Sequence, residues 1–145
     1  MIDADEFDLT GFLPYLLNQA AEEASLTFQQ VYKERYGMLR TEWRVLFHLG
    51  RYGPMTAGQI GELAMMHKTK ISRAVQALED KRFLTRQRRD EDRRQETLTL
   101  TRSGQAAYER LKTLAAEHNR SLRQMLPKED WDSLVRSLRV IARMD

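Results

Sequence analysis

The chain has 145 residues, 31% of them charged and 41% hydrophobic, enough for one domain with a core and too few for two ordinary ones. No apolar run approaches the roughly 20 residues of a membrane-spanning helix, and the start is acidic where a secretory leader would be basic and then apolar. The absence of cysteine excludes disulfides, thiol redox sensing and thiolate metal sites, so a soluble protein of a reducing cytoplasm is expected.

The net charge of +3 is unevenly spread. Residues 1–32 hold six acids and no Lys or Arg, whereas residues 67–94 hold ten bases against five acids, a local net charge of +5. Such a stretch suits a polyanion, and it also suits a solvated charged face.

From Phe12 the apolar residues Leu13, Leu16, Leu17, Ala20, Ala24, Phe28 and Val31 recur at helical spacing, with Thr10 as the expected cap, which predicts a long helix ending near Tyr36-Gly37. Thr41 is the expected cap of a second helix that turns Trp43, Leu46, Phe47 and Leu49 inward and stops at Tyr52-Gly53-Pro54. Thr56-Ala57-Gly58-Gln59 has capping-box spacing, so a short helix should follow over 57–65 with Ile60, Leu63 and Ala64 inside.

After Met66-His67 a fourth helix is predicted to about Lys81, with Ile71, Val75 and Leu78 as its buried stripe. Its outward residues, Lys68, Thr69, Lys70, Ser72, Arg73 and Gln76, crowd the first two turns and include no acid. A helix that enters the major groove contacts base edges with side chains of this kind near its N-terminus. The acids Glu79 and Asp80 sit at the far end, where they oppose the helix dipole, so helix stability alone does not explain the order of charges.

Residues 83–88 and 95–100 have strand composition, and the charged run 89–94 between them predicts a hairpin with a loop at its tip. Thr101 should cap a long helix carrying Ala106, Ala107, Leu111, Leu114, Ala115, His118 and Leu122. Pro127 interrupts, and a last helix carries Trp131, Leu134, Val135, Leu138 and Ile141.

With this order of elements the sequence resembles the MarR family of transcriptional regulators. The carriers are Glu42-Trp43-Arg44-Val45-Leu46, Lys70-Ile71-Ser72-Arg73 with Ala77-Leu78-Glu79, Asp92-Arg93-Arg94, and Leu100-Thr101-Arg102-Ser103-Gly104. The resemblance implies a mainly α fold with a small β-hairpin wing: one domain over 1–145, with a winged helix-turn-helix DNA-binding lobe at 40–101 and a helical dimerisation region at 10–37 and 102–143. It implies a homodimer, paired through Phe12, Leu16, Leu122, Trp131, Leu134, Leu138 and Ile141, that binds an inverted repeat in double-stranded DNA as a repressor. Twofold symmetry sets two reading helices about 34 Å apart.

The same likeness assigns Arg94 to the minor groove and Asp92 to holding the loop's shape. A narrow minor groove has enhanced negative potential, and guanidinium sheds water more readily than ammonium on entering it. Arg86 and Arg88 are expected on phosphates, adding affinity more than sequence preference. An effector, an aromatic acid or phenol, is implied near Tyr15, Trp43, Arg44, His48 and His118, each of which also fits a purely structural role. Two positions depart from the family pattern. His67 opens the fourth helix in place of Asp or Ser, and Arg82 stands where Gly commonly closes it, at a strain of order 1 kcal/mol if the backbone there is left-handed.

No nucleophile with its base, carboxylate pair or metal-ligand spacing appears, so no enzyme, metal or cofactor is expected. The alternative is a winged helix used only for protein contacts, which should present apolar residues on the exposed face of its fourth helix.

Overall fold

The computed structural model describes residues 6–89 and 92–144, and the side chains at 6–88 and 96–144. Among the described residues six α-helices and three strands follow one another: α1 (Leu13–Tyr36), α2 (Arg40–Tyr52), β1 (Met55–Thr56), α3 (Ala57–Ala64), α4 (Lys68–Asp80), β2 (Leu84–Arg89), β3 (Asp92–Leu100), α5 (Arg102–Arg123) and α6 (Lys128–Ile141). The chain divides into two compact units, residues 31–117 and residues 1–30 with 118–145, so α1 and α5 contribute to both. Among the described residues no helix is long and apolar enough to cross a membrane.

The unit of residues 31–117 contains nearly all of the buried side chains. Val45, Leu46 and Leu49 of α2 share one core with Ile60 and Ala64 of α3, Ile71, Ala74, Val75 and Leu78 of α4, Leu84 and Leu98 of the sheet, and Ala107, Tyr108 and Leu111 of α5. The expected stripe of α4 is inside. Leu63, expected inside as well, is 54% exposed, because α3 is only eight residues long and turns Ile60 and Ala64, a four-residue repeat, toward the core.

The helix starts follow local hydrogen bonding. Thr56 and Gln59 form the expected reciprocal box, with Gln59 N–H donating to the Thr56 hydroxyl at 3.1 Å and Thr56 N–H to the Gln59 side chain at 2.9 Å. Thr101 caps α5 by accepting from Gly104 N–H at 3.0 Å. Two expected caps are replaced. Thr10 lies inside a short 3-10 helix, Leu9–Gly11, whose own cap is Asp8, accepting from Thr10 N–H at 3.1 Å. Thr41 lies inside α2, which starts at Arg40; there Glu42 reaches back to accept from Leu39 N–H at 3.1 Å. Asp8 thus caps the 3-10 turn ahead of α1, and Glu42 satisfies the backbone N–H of Leu39, the N-cap of α2.

The strands form an antiparallel sheet in the order β1-β3-β2. β1 pairs Met55 with Leu98 and Thr56 with Thr97, an unforeseen third strand. The β2–β3 hairpin runs Leu84 opposite Leu100 through Arg88 opposite Glu96, then bulges between Arg88 and Arg89. Its strands reach further toward the tip than the expected loop at 89–94 allowed.

The other unit is different in kind. Among its described residues Phe28 is the one buried apolar side chain, and α6 buries none. Leu13, Leu16, Leu134, Val135, Leu138 and Ile141 are all exposed, as is Phe12 ahead of α1.

Candidate nucleic-acid interface

α4 begins at His67, whose Nδ1 accepts from Thr69 N–H at 3.4 Å. That bond is long, so the cap is weak compared with a carboxylate or hydroxyl. Beyond it Lys68, Thr69, Lys70, Ser72, Arg73 and Gln76 are all exposed, while Ile71, Ala74, Val75 and Leu78 are buried. One face of α4 is therefore core and the other a continuous polar, mainly cationic surface. It carries no apolar patch of the sort a protein-docking helix would show.

The far end of α4 is closed by a left-handed residue, Arg82, at φ +65°. Phe83 N–H donates to Leu78 O at 2.9 Å and Arg82 N–H to Glu79 O at 2.9 Å, a closure that normally favours Gly. The carbonyl of Arg82 accepts from two hydroxyls at the start of α5, Thr101 at 2.6 Å and Ser103 at 2.9 Å. Thr101 N–H also donates to Phe83 O at 3.0 Å. The hinge between α4 and the hairpin is thus fixed by the start of α5.

A second anchor is Glu42 on α2, the one buried charged residue among those described. Its Oε1 lies 3.0 Å from Lys81 Nζ, and its other oxygen accepts from Leu39 N–H. The turn after α4 is thereby held to the start of α2.

A groove of about 650 Å³ lies between α3, α4 and the sheet. Arg86 and Glu96 line its sheet side, and Lys68, Ser72 and Val75 line its α4 side. Arg86, expected on phosphate, makes its bonds within the protein. Nε donates to Glu79 at 3.2 Å, one terminal nitrogen to Glu96 at 3.3 Å and the other to Gln76 at 3.0 Å. Arg88, much more exposed, shares Glu96 at 3.2 Å. Gln76 also donates to Asp80 at 2.9 Å. The side chains of Asp92 and Arg94 lie outside the described residues.

The five side chains singled out for an effector each have a local engagement. Arg44 donates to the carbonyl of Ala64 at the end of α3. Burial, and secondarily the charge of Arg40, pulls its guanidinium below its usual value. His48 donates through Nδ1 to Arg44 O at 2.6 Å, which fixes its tautomer, because a carbonyl can only accept. Trp43 packs against Tyr32 and Phe47. In the other unit, His118 donates through Nε2 to Ala24 O at 2.7 Å and stacks on Phe28, and the Tyr15 hydroxyl accepts from Gln19 at 2.9 Å. Trp43, Arg44 and His48 are on α2, with Tyr15 on α1 and His118 on α5. Among the described residues no group of His, Asp and Glu is arranged to hold a metal ion.

The profile of the MarR family matches residues 36–95, from the end of α1 through the hairpin. An uncharacterised HTH-type transcriptional regulator of Bacillus subtilis, YwoH, is 27% identical over 99 residues, covering 67% of this chain and 72% of its own. A MarR family transcriptional regulator from Silicibacter pomeroyi superposes with a TM-score of 0.77 at 26% identity, over 94% of this chain and 99% of its own. BpsR of Bordetella bronchiseptica, whose DNA binding is regulated by 6-hydroxynicotinic acid, shares the fold, with a TM-score of 0.81 at 19% identity over 96% of this chain and 99% of its own. These are regulators of transcription rather than enzymes. With a polar α4 face set beside a two-stranded hairpin, the segment 36–95 is similar to the MarR family of transcriptional regulators, and the fold is that of solved MarR family regulators.

Proposed function

We propose that the protein is a cytoplasmic homodimeric repressor that lays α4 in the major groove of an inverted-repeat operator, and that a small aromatic acid or phenol releases it. The observation that carries the reading is the two-faced α4, whose outer residues Lys68, Thr69, Lys70, Ser72 and Arg73 are all exposed and non-acidic over a fully apolar inner stripe. Base edges are read by donors and cations at such a helix start, while Arg88 and, from the hairpin tip, Arg94 with Asp92 add phosphate and minor-groove contacts.

Dimerisation follows from the unit of residues 1–30 with 118–145. Among its described residues this unit buries one apolar side chain and leaves Leu134, Leu138 and Ile141 exposed, and a second copy is the occupant that matches the proposed twofold operator. The proposed interface also takes in Phe12 and Leu16, which are exposed, and Leu122 and Trp131, which are half-buried. The effector is supported by the structural relative that responds to 6-hydroxynicotinic acid. The bonds of Arg44 to Ala64 O and of His48 to Arg44 O make these two residues supports of α2 and α3 rather than direct ligands.

The test uses the purified chain and the DNA flanking its gene. Sedimentation should show a dimer at micromolar concentration, anisotropy should show tight binding to an inverted repeat in that DNA, and 6-hydroxynicotinate or a related aromatic acid should weaken it. A monomer, or equal affinity for flanking and scrambled duplexes, overturns the reading. A dimer that binds specifically and ignores a panel of aromatic acids removes the effector alone.

A further inference from the structure

We propose that Arg86 is a positioning residue for sequence readout, presetting the amide of Gln76 toward adenine, and is not a phosphate contact. The proposal rests on α4 being the reading helix. Arg86 is on β2 at the side of the 650 Å³ groove opposite α4, and its guanidinium donates in three directions, to Glu79 and Gln76 on α4 and to Glu96 on β3. It joins hairpin and helix where the groove otherwise separates them.

The charge balance argues against a phosphate role. Arg86 is 30% exposed and lies between the carboxylates of Glu79 and Glu96, themselves 37% and 26% exposed. Asp80 accepts from Gln76, and Arg88 shares Glu96. A phosphate would have to draw Arg86 away from two ion pairs, whereas Arg88, 71% exposed, has one, to the Glu96 it shares with Arg86.

The consequence falls on Gln76. Its Oε1 accepts from Arg86 and its Nε2 donates to Asp80. A guanidinium can only donate and a carboxylate can only accept, so both neighbours impose the same amide orientation. One N–H and one lone pair of the amide remain for a ligand. That donor and acceptor complement adenine, whose major-groove edge offers N7 as acceptor and the N6 amino group as donor.

The experiment selects duplexes from a random pool with the wild-type chain. It then measures binding of Arg86→Ala, Arg86→Lys and Gln76→Ala to the enriched duplex and to a scrambled one across a salt series. Arg86→Ala and Arg86→Lys should each reduce the preference for the enriched duplex about tenfold, consistent with loss of one base-reading pair. The loss should map to an adenine, and replacing that adenine by 7-deazaadenine in the wild-type complex should cost the same preference. The slope of log K against log salt should stay unchanged, because no phosphate contact is lost. With Gln76 already truncated to Ala, Arg86→Lys should cost nothing further.

A fall in slope of about 0.9 per subunit for Arg86→Ala, with preference kept, makes Arg86 a phosphate contact and overturns the proposal. Full preference in Arg86→Lys overturns it too, since Lys keeps the charge without the three-way geometry. Should Arg86→Ala unfold, Arg86→Lys and the double variant with Gln76→Ala still decide the matter. A wild-type chain that enriches no sequence refutes the reading helix itself, a different failure.

Discussion

The hinge at Arg82 can be tested from both sides. A non-Gly residue in the left-handed region costs about 1–2 kcal/mol, and Arg82 sits there at φ +65°. Arg82→Gly removes that strain and gives back about 0.5–1 kcal/mol through the greater freedom of Gly in the unfolded chain, for a net gain between zero and about 1.5 kcal/mol. On the other side of the peptide, Thr101 donates to the Arg82 carbonyl and accepts the α5 cap bond from Gly104, whereas Ser103 donates to the same carbonyl. Each hydrogen bond is worth about 0.5–1.5 kcal/mol net, and a lost N-cap typically about 1 kcal/mol. Thr101→Val should therefore cost about 1–3 kcal/mol, and Ser103→Ala less, because Thr101 still satisfies the carbonyl. Urea unfolding of the three variants checks the order, read at constant m-value. Destabilisation by Arg82→Gly of more than about 1 kcal/mol would show that the Arg side chain holds the hinge, and equal costs for Thr101→Val and Ser103→Ala would refute the double role of Thr101.

Gly104→Ala would place a methyl group on the carbonyl of Phe83, a backbone contact that side-chain rotation cannot relieve; a loss of about 3 kcal/mol, together with weakened DNA binding, is expected in parallel denaturation and anisotropy measurements. In the Glu42–Lys81 pair, Glu42→Gln keeps an acceptor for Leu39 N–H and frees a Lys81 that already reaches solvent, so about 1–2 kcal/mol should be lost. Lys81→Met instead strands a buried carboxylate and should cost more, on the order of 3 kcal/mol, so thermal melts showing the reverse order would contradict the pair's geometry.

Features set by bonds within a few residues were legible in the sequence. The Thr56–Gln59 box, the Thr101 cap and the i, i+4, i+7 stripe of Ile71, Val75 and Leu78 depend on neighbours along one helix, and the structure contains all three. The expected caps Thr10 and Thr41 lie inside helical turns, Thr10 in the 3-10 turn that Asp8 caps and Thr41 in α2, which starts one residue earlier after Leu39. β1 escaped because two residues, Met55 and Thr56, have no period to detect; their pairing is decided by Leu98 and Thr97, some forty positions away.

Charge was the hardest quantity to read, because a sequence shows which groups carry it and not which partners already use it. The excess of bases over 67–94 includes Lys81, held by Glu42 from α2, and Arg86, held by Glu79 and by Glu96 from the returning strand. Glu42 and Glu96 lie outside that window, so the local net of +5 overstates what the fold offers to a polyanion. What remains outward on α4 is Lys68, Lys70 and Arg73, together with Arg88 on the hairpin. The separation follows from distance along the chain. Lys68, Lys70 and Arg73 fall within six residues at the start of one helix, where no acid stands among them, while the bases with internal partners sit at the turn and strand that other elements pack against. The cations closest to the start of α4 are thus the ones left for the proposed contact with DNA, whereas Lys81 and Arg86 tie the end of α4 to α2 and to the hairpin.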